Sequence, residues 1–163
     1  MAPMDRIDVK ILERLQVDGR ATLAELAETV GLSATPCQRR IKNLEEEGVI
    51  RGYRADLDRA KVGLGVTAFV LIDMMQHTEA DTRRFAEAVR AIPEVVSCHA
   101  LAGNHDFLLE VVIPDLPAYA DLMLARLGGL PGVKNIASCF SLAHVKEPDR
   151  LPLAPPAASR SGL

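Results

Sequence analysis

Residues 23–44, LAELAETVGLSATPCQRRIKNL, decide the fold of the N-terminal third of the chain. Apolar residues recur at helical spacing on both sides of Gly31, and glycine suits the left-handed residue that ends a helix. Ser33 follows as a candidate N-cap, and Pro36 is tolerated in the first turn of the next helix. Because only Gly31 and Leu32 separate the two helices before that cap, they must cross steeply. The stretch predicts a helix-turn-helix.

A further helix precedes this motif. Asp5 is its candidate N-cap, and an apolar stripe runs from Ile7 to Leu15. Residues 18–20, Asp-Gly-Arg, predict the turn into the next helix. The first 48 residues therefore predict three helices, of which the last two form the helix-turn-helix.

The third predicted helix has an apolar side and a polar side. Its core side is defined by Cys37, Ile41 and Leu44. At 100° per residue, the opposite side carries hydroxyl, amide and basic groups and no acid, on Thr35, Gln38, Arg39 and Lys42. Such groups contact base edges and phosphates, so this face favours DNA binding over the alternative of an ordinary solvated face. The N-terminal amides of this helix offer another phosphate site.

Arg40 lies on the flank of the same helix, nearer to the core boundary. Two interpretations stay open for its guanidinium. It could hold a DNA phosphate, or it could pair with an acid of a neighbouring helix.

Beyond Gly48 the apolar period changes from that of a helix to that of strands. Residues 49–55 alternate as a short strand, and residues 56–65 form a connector with candidate hinges at Gly63 and Gly65. Strands are then predicted over 66–75, 94–101, 107–113 and 133–145, and helices over 82–92 and 115–130. This order predicts an α+β fold with a C-terminal ferredoxin-like βαββαβ sandwich, in which two helices cover one face of an antiparallel sheet. Apolar residues on both sides of several strands predict a partner chain on the other face.

Composition places the chain among globular proteins. Hydrophobic residues make up 48% of its 163 residues and charged residues 25%, which excludes a disordered chain, and no apolar run is long enough for a membrane span. Three widely spaced cysteines without a CxxC pair predict free thiols in the cytoplasm. The net charge of −3 does not exclude nucleic-acid binding, since the position of the basic groups decides it.

No constellation of residues predicts catalysis or a cofactor. The sequence contains no glycine-rich phosphate loop and neither GxSxG nor HExxH. Cys98, His99, His105 and Asp106 could be drawn as a metal site across a hairpin. Cys98 and His99 are neighbours in a strand, however, so their side chains point to opposite faces. We therefore predict no metal and no catalytic residue.

Six stretches resemble the Lrp/AsnC family of feast/famine regulators. They are MDRIDVKILERLQVDGR, VGLSATPCQRRIKNLEEEGVIRGY, CHALAGNHDFLLEV, IPDLPAYADLML, LPGVKN and VKEPDRLPL. The resemblance implies an N-terminal domain that binds double-stranded DNA, a hinge strand and a C-terminal domain that responds to an amino acid. It also implies homodimers that form through the sheet and assemble into octamers.

The resemblance assigns roles to particular residues. The DNA-reading helix of the family maps to residues 33–47, and its characteristic arginine to Arg40. The candidate DNA-binding residues are Ser33, Ala34, Thr35, Gln38, Arg39, Arg40 and Lys42. The effector of the family binds between dimers at a Gly-x-x-Asp hairpin, and a Thr-x-Thr pattern of the last strand contributes in some members. Here these map to Gly103, Asn104, His105, Asp106 and, because the pattern reads Ile-Ala-Ser, to Ser138 alone.

Hairpin amides can hold an effector carboxylate, and Asp106 can face an ammonium group. Without the resemblance, Asp106 would be interpreted as an ordinary turn residue.

Four parts of the chain are predicted. Residues 1–52 are expected to form the DNA-binding domain, 53–65 a hinge, 66–147 a domain for ligand sensing and oligomerisation, and 148–163 a proline-rich tail. The tail is expected to lack the means to form a core and to be mobile from about Ala154.

Two functions are compatible with these patterns. The first is a cytoplasmic, sequence-specific transcriptional regulator of amino-acid metabolism. The second is a ferredoxin-like domain that binds or converts a small molecule without binding DNA, with a helical segment that only mediates assembly. The polar face of the third helix favours the first.

Overall fold

The computed structural model describes residues 4–146 and 150–153. The chain packs as two compact units. The first takes the residues up to Asp56 together with the described C-terminal segment, and the second takes Leu57–Val145. Each unit has its own apolar core.

The first unit is a three-helix helix-turn-helix, as predicted. Helix α1 spans Arg6–Val17, α2 spans Leu23–Val30 and α3 spans Ala34–Glu46. Gly31 ends α2 with a φ of 68°, the left-handed conformation that the sequence predicts. The helices bury a common core of Ile11, Leu12, Leu26, Ala27, Cys37 and Leu44.

The observed helix caps agree with the predicted ones at α1 but not fully at α3. The Asp5 side chain accepts hydrogen bonds from the backbone of Ile7 and Asp8, which confirms it as the N-cap of α1. Thr22 and Glu25 form a capping box at the start of α2, a cap that was not predicted. Ser33 occupies the N-cap position of α3 with an extended backbone, but its side chain makes no capping hydrogen bond.

The second unit is the predicted ferredoxin-like sandwich. Its elements are β1 (Val66–Met74), α4 (Glu79–Arg90), β2 (Val95–Ala100), β3 (Phe107–Ile113), α5 (Leu116–Ala125), a 3-10 turn (Leu127–Gly129) and β4 (Val133–Phe140). The four strands pair antiparallel in the order β2-β3-β1-β4. The strand order brings the first and last strands side by side in the sheet.

The core of this unit lies between the sheet and the two helices. Val70 and Leu109 are fully buried and pair with each other across β1 and β3. The rings of Phe85 on α4 and Phe107 on β3 pack with their centroids 4.5 Å apart. Phe69 points to the opposite sheet face by strand alternation and is 37% exposed. Among the described residues, no helix has the length and apolar character needed to span a bilayer.

Apart from shifts of one to three residues at other element ends, three features differ from the prediction. The strand expected over residues 49–55 is not formed within the chain, because that stretch pairs with no other strand among the described residues. The last strand ends at Phe140 rather than at residue 145. The helix expected over 115–130 ends at Ala125, and a 3-10 turn follows it.

The end of the chain also differs from expectation. Leu153, in the proline-rich tail, packs against the helical core of the first unit, a contact that was not predicted. Residues 154–163, for which mobility was predicted, lie outside the described residues.

Candidate nucleic-acid interface and effector site

The polar face of α3 is open to solvent. Thr35, Gln38, Arg39 and Lys42 are all exposed, while Cys37 and Leu44 on the opposite side are buried. These four side chains line one wall of a groove of about 750 Å³, whose other walls come from the end of α1, the following turn and the start of α2. The face is therefore accessible and lies beside a concave surface.

The basic groups of this face differ in their surroundings. The Lys42 ammonium lies 3.2 Å from a carboxylate oxygen of Glu46, and both side chains are well exposed. Such an exposed pair contributes little and opens readily. Within residues 4–146 and 150–153, the Arg39 guanidinium forms no ion pair, so its full charge is available to an anionic partner.

The start of α3 leaves two backbone donors available. In the first turn only Ala34 and Thr35 have free amides, because Pro36 has no N–H and the Cys37 amide donates to the carbonyl of Ser33. The Ser33 hydroxyl makes no capping bond and is exposed. This end of the helix presents an uncapped terminus next to the polar face.

Arg40 forms ion pairs with two acids at the start of α1. Its Nη1 lies 2.8 Å from Oδ2 of Asp5 and 2.8 Å from Oδ1 of Asp8, and the Asp8 side chain is only 15% exposed. The hydrogen bond to Asp8 is the main cause that raises the pKa of Arg40. Of the two interpretations left open by the sequence, the structure shows pairing with an acid of a neighbouring helix.

The same two carboxylates also cap α1. Asp5 accepts from the backbone amides at the start of α1, and Asp8 accepts from the Asp5 amide at 3.0 Å. The hydrogen bond from the Asp8 backbone is the main cause that lowers the pKa of Asp5, and the bond from Arg40 adds to it. The start of α1 and the middle of α3 are therefore joined through one charged cluster.

Acidification is expected to weaken this cluster. Since the folded pKa of Asp5 lies below its ordinary value of 3.8, its contribution to stability is complete above about pH 4 and is lost as the pH falls through the lowered value. The urea midpoint of helix loss, followed by circular dichroism, should fall more steeply below about pH 4 in the wild type than in Asp5→Asn. Equal slopes would contradict the role of this carboxylate.

The second candidate site is the hairpin between β2 and β3. The Asp106 amide donates to the carbonyl of Ile72 at 2.9 Å, and Oδ2 of Asp106 accepts from the Met74 amide at 2.7 Å. The other oxygen, Oδ1, lies 3.4 Å from Nδ1 of His77, an exposed side chain. The Asp106 carboxylate is thus held against the end of β1, with one oxygen left near solvent.

The tip of the hairpin carries unused backbone donors. In the described part of the chain, the amides of Gly103, Asn104 and His105 donate to no protein acceptor. Successive free amides in a turn form a concavity that suits an anion such as a carboxylate.

A second acid lies beside this hairpin. The Asp73 carboxylate receives His105 Nδ1 at 2.7 Å and the Asn135 amide at 3.2 Å. The hydrogen bond from His105 is the main cause that lowers the pKa of Asp73. His105 is therefore oriented toward β1, and the three side chains tie the hairpin to strands β1 and β4.

Ser138 is not part of this cluster within one chain. Its hydroxyl pairs with the Tyr119 hydroxyl at 2.5 Å, and its backbone lies opposite Val70. Val70 and Met74 are four residues apart on β1, about 13 Å at the rise of a strand. The structure brings residues 103–106 together and leaves Ser138 apart from them.

Sequence reasoning missed the residues that surround the hairpin. Asp73, His77 and Asn135 come from three separate places in the sequence, and only the antiparallel register of β1 and β4 brings Asp73 opposite Asn135. The one signal in the sequence is that an acid, Asp73, follows the apolar run of β1, because an acid near the end of a buried strand indicates a polar site there. Over the described ranges, no group of three or more His, Cys, Asp or Glu residues is arranged to hold a metal ion.

Comparison with known families covers both units. Residues 4–51 match the family of winged helix-turn-helix DNA-binding domains. Residues 67–151 match the Lrp/AsnC ligand-binding domain.

Curated relatives cover nearly the whole chain. The Bkd operon transcriptional regulator of Pseudomonas aeruginosa is 42% identical over 89% of this chain and 95% of its own length. The leucine-responsive regulatory protein of Rhizobium meliloti is 39% identical over 88% of this chain and 92% of its own length.

Solved structures show the same fold. A transcriptional regulator from Neisseria meningitidis, solved as a complex with L-Met, is 40% identical with a TM-score of 0.86 and covers 91% of this chain and 96% of its own. An AsnC-family regulator from Agrobacterium tumefaciens is 42% identical with the same TM-score, over 91% of this chain and 97% of its own. With both units matched in order and over most of its length, the chain belongs to the Lrp/AsnC family of DNA-binding transcriptional regulators.

Proposed function

We propose that this regulator reads duplex DNA with the exposed polar face of α3 and controls genes of amino-acid metabolism in response to an amino acid. The observation that carries the proposal is the acid-free row of Thr35, Gln38, Arg39 and Lys42 beside an uncapped helix start. Amide and guanidinium groups can contact base edges, while Lys42, the Ser33 hydroxyl and the amides of Ala34 and Thr35 can hold phosphates. The alternative function without DNA binding is not favoured, since curated relatives are named transcriptional regulators.

Arg40 takes a positioning role in this proposal rather than a direct DNA contact. Its guanidinium is engaged by two carboxylates, so a phosphate would have to displace them. By joining α3 to the start of α1, Arg40 sets the orientation in which α3 meets the groove.

The effector is proposed to bind at residues 103–106. The free amides of the hairpin tip support a site for the carboxylate of an amino acid, and the solvent-facing oxygen of Asp106 supports a site for its ammonium group. One relative is named for its response to leucine, and another was solved with L-Met. Ser138 would join the site only if a second copy of the chain contributed it.

Assembly and location complete the proposal. The partly exposed face of the sheet around Phe69 supports a homodimer through the sheet, with octamers formed from dimers. Two helix-turn-helix units in such a dimer would meet successive major grooves, about 34–36 Å apart. We place the protein in the cytoplasm, with its DNA partner, and assign it no membrane contact, no cofactor and no enzymatic activity.

The first test is DNA binding by the wild type. A fluorescent duplex drawn from upstream of its own gene should bind, and log K should fall steeply and linearly with log salt concentration, because phosphate contacts release counterions. A scrambled duplex of equal length is the control and should bind more weakly. Failure to bind duplex DNA at low salt would overturn the proposal.

Replacing Asp106 by asparagine tests the effector site. Asn keeps an oxygen that can accept from the Met74 amide, so the hairpin stays in place while the charge is lost. A charge-assisted hydrogen bond is worth about 1.5–3 kcal/mol, so effector affinity should fall roughly 10- to 100-fold. Calorimetric titration with L-leucine and L-methionine measures it. Operator affinity without effector should stay within about twofold of wild type, and unchanged effector affinity would place the site elsewhere.

A further inference from the structure

A second groove lies on the DNA-binding unit and shares Leu15 and Tyr53 with the groove beside the polar face of α3. It measures about 450 Å³ and is lined by α1, by residues 49–54 and by the C-terminal segment itself. Its apolar walls come from Met4, Leu12, Leu15, Val49 and Ile50. None of these residues belongs to the polar face of α3, so the proposed DNA contacts do not account for this groove.

The chain's own C-terminal segment, residues 150–153, forms one wall of this groove. Leu153 is partly buried and packs against the helical core, whereas Leu151 is 70% exposed. Gln16, at the end of α1, binds the backbone of Leu151 with both ends of its side-chain amide. The Leu151 amide donates to Oε1 at 2.6 Å, and Nε2 donates to the Leu151 carbonyl at 3.4 Å.

The chemistry of this contact suits an extended peptide. A glutamine amide presents one donor and one acceptor, as a neighbouring strand would, and so recognises backbone rather than side chain. Pro152 restricts Leu151 to extended conformations and has a fixed φ of its own. The segment therefore loses less conformational entropy on docking than an unrestricted one would.

Both ends of the second unit connect to the DNA-binding unit along the chain. The chain leaves the DNA-binding unit after Asp56, builds the whole second unit, and returns to the DNA-binding unit after Val145. The last strand before this return is β4, which carries Asn135 and Ser138. The two units are thus joined by two covalent connections, at Asp56 and at Val145, provided that the C-terminal segment stays docked.

We propose that the surface of α1 around Gln16, together with the adjoining helical core, is a docking site for the Leu-Pro-Leu segment at 151–153. We further propose that this docking is the second link through which the effector-binding unit controls the DNA-binding unit. This inference rests on the proposed function. A change in β4 on effector binding would be transmitted along the C-terminal segment to α1, in parallel with the connection at Asp56. Gln16 is a positioning residue in this arrangement and contacts neither DNA nor effector.

Amide hydrogen exchange tests the docking. Followed by NMR in the full chain, the Leu151 amide should exchange roughly tenfold or more slowly than in a free peptide of residues 146–163. Gln16→Ala should return that amide to the peptide rate, while the control Glu13→Ala, an exposed change on the same helix, should not. A Leu151 amide that exchanges at the peptide rate in the wild type would overturn the docking.

Two shortened chains test the coupling. The chain 1–153 keeps the docked segment and serves as the matched control for the chain 1–149, which lacks it. Operator affinity is measured with and without saturating L-leucine or L-methionine, and the ratio of the two affinities is the coupling. In 1–153 the ratio should equal that of the wild type. In 1–149 and in Leu153→Ser the ratio should lie closer to one than in the wild type, by about threefold or more.

The outcomes separate the two claims. A wild-type ratio that differs from one and persists in 1–149 would overturn the second link while leaving the proposed function intact. A wild-type ratio of one with both amino acids would overturn the link together with the amino-acid response. A ratio near one in 1–149 and in Leu153→Ser, together with the wild-type ratio in 1–153, supports the link.

Discussion

Replacing Arg39 and Lys42 together by alanine is expected to weaken operator binding by about 30-fold or more, since each such contact contributes about 1–3 kcal/mol. Both side chains are exposed on α3, and neither supports the core, so the variant should fold normally. The expected loss is therefore one of contacts to DNA. Fluorescence anisotropy at several salt concentrations measures it.

The salt dependence shows what kind of contact is lost. Each phosphate contact contributes about 0.9 to the slope of log K against log salt concentration, so the slope should flatten by roughly one or two contacts. The matched control is Arg6→Ala with Lys10→Ala, which removes the same charge from exposed positions on α1. If the control weakened binding as much as the α3 variant, net charge rather than the α3 face would be the cause.

Replacing Arg40 by methionine is expected to lower both stability and operator affinity without changing the salt slope. The change leaves the carboxylates of Asp5 and Asp8 facing each other without a cation, and removing one partner of a half-buried charged hydrogen bond costs about 1–3 kcal/mol. The start of α1 then no longer holds α3 in its orientation. A direct phosphate contact would instead flatten the salt slope by about 0.9.

A double-mutant cycle with Asp8→Asn separates the two roles of Arg40. Asparagine keeps an oxygen for the Asp5 amide at the start of α1 and removes only the charge that Arg40 contacts. If Arg40 acts through Asp8, the two changes should be strongly non-additive in both urea stability and operator affinity. Additive losses of operator affinity would return Arg40 to the set of direct DNA contacts.

Features that depend on neighbouring residues were predicted well. The cap at Asp5, the end of α2 at Gly31 and the bounds of β3 all follow from short stretches of sequence. Local hydrogen bonds, glycine conformation and apolar alternation decide such features, and all three can be read from adjacent residues. The strand expected over 49–55 failed for the converse reason, since a strand needs a pairing partner that alternation alone does not supply.

The two candidate sites were predictable to different degrees. The polar face of α3 follows from helical geometry within one element, so the sequence could list its members. The partners of the hairpin could not be listed, because Asp73 and Asn135 meet only through the register of β1 and β4. Resemblance to a family located the hairpin but not the acid that holds His105.

The sequence by itself determined the order of helices and strands, the outward face of α3 and the family, because periodicity, capping and turn residues act over short distances along the chain. Only the tertiary structure decided the partner of Arg40, the surroundings of Asp106 and the docking of Leu153 on the helical core. These contacts join residues 29 or more positions apart. For residues so distant in sequence, packing of whole elements decides which groups meet.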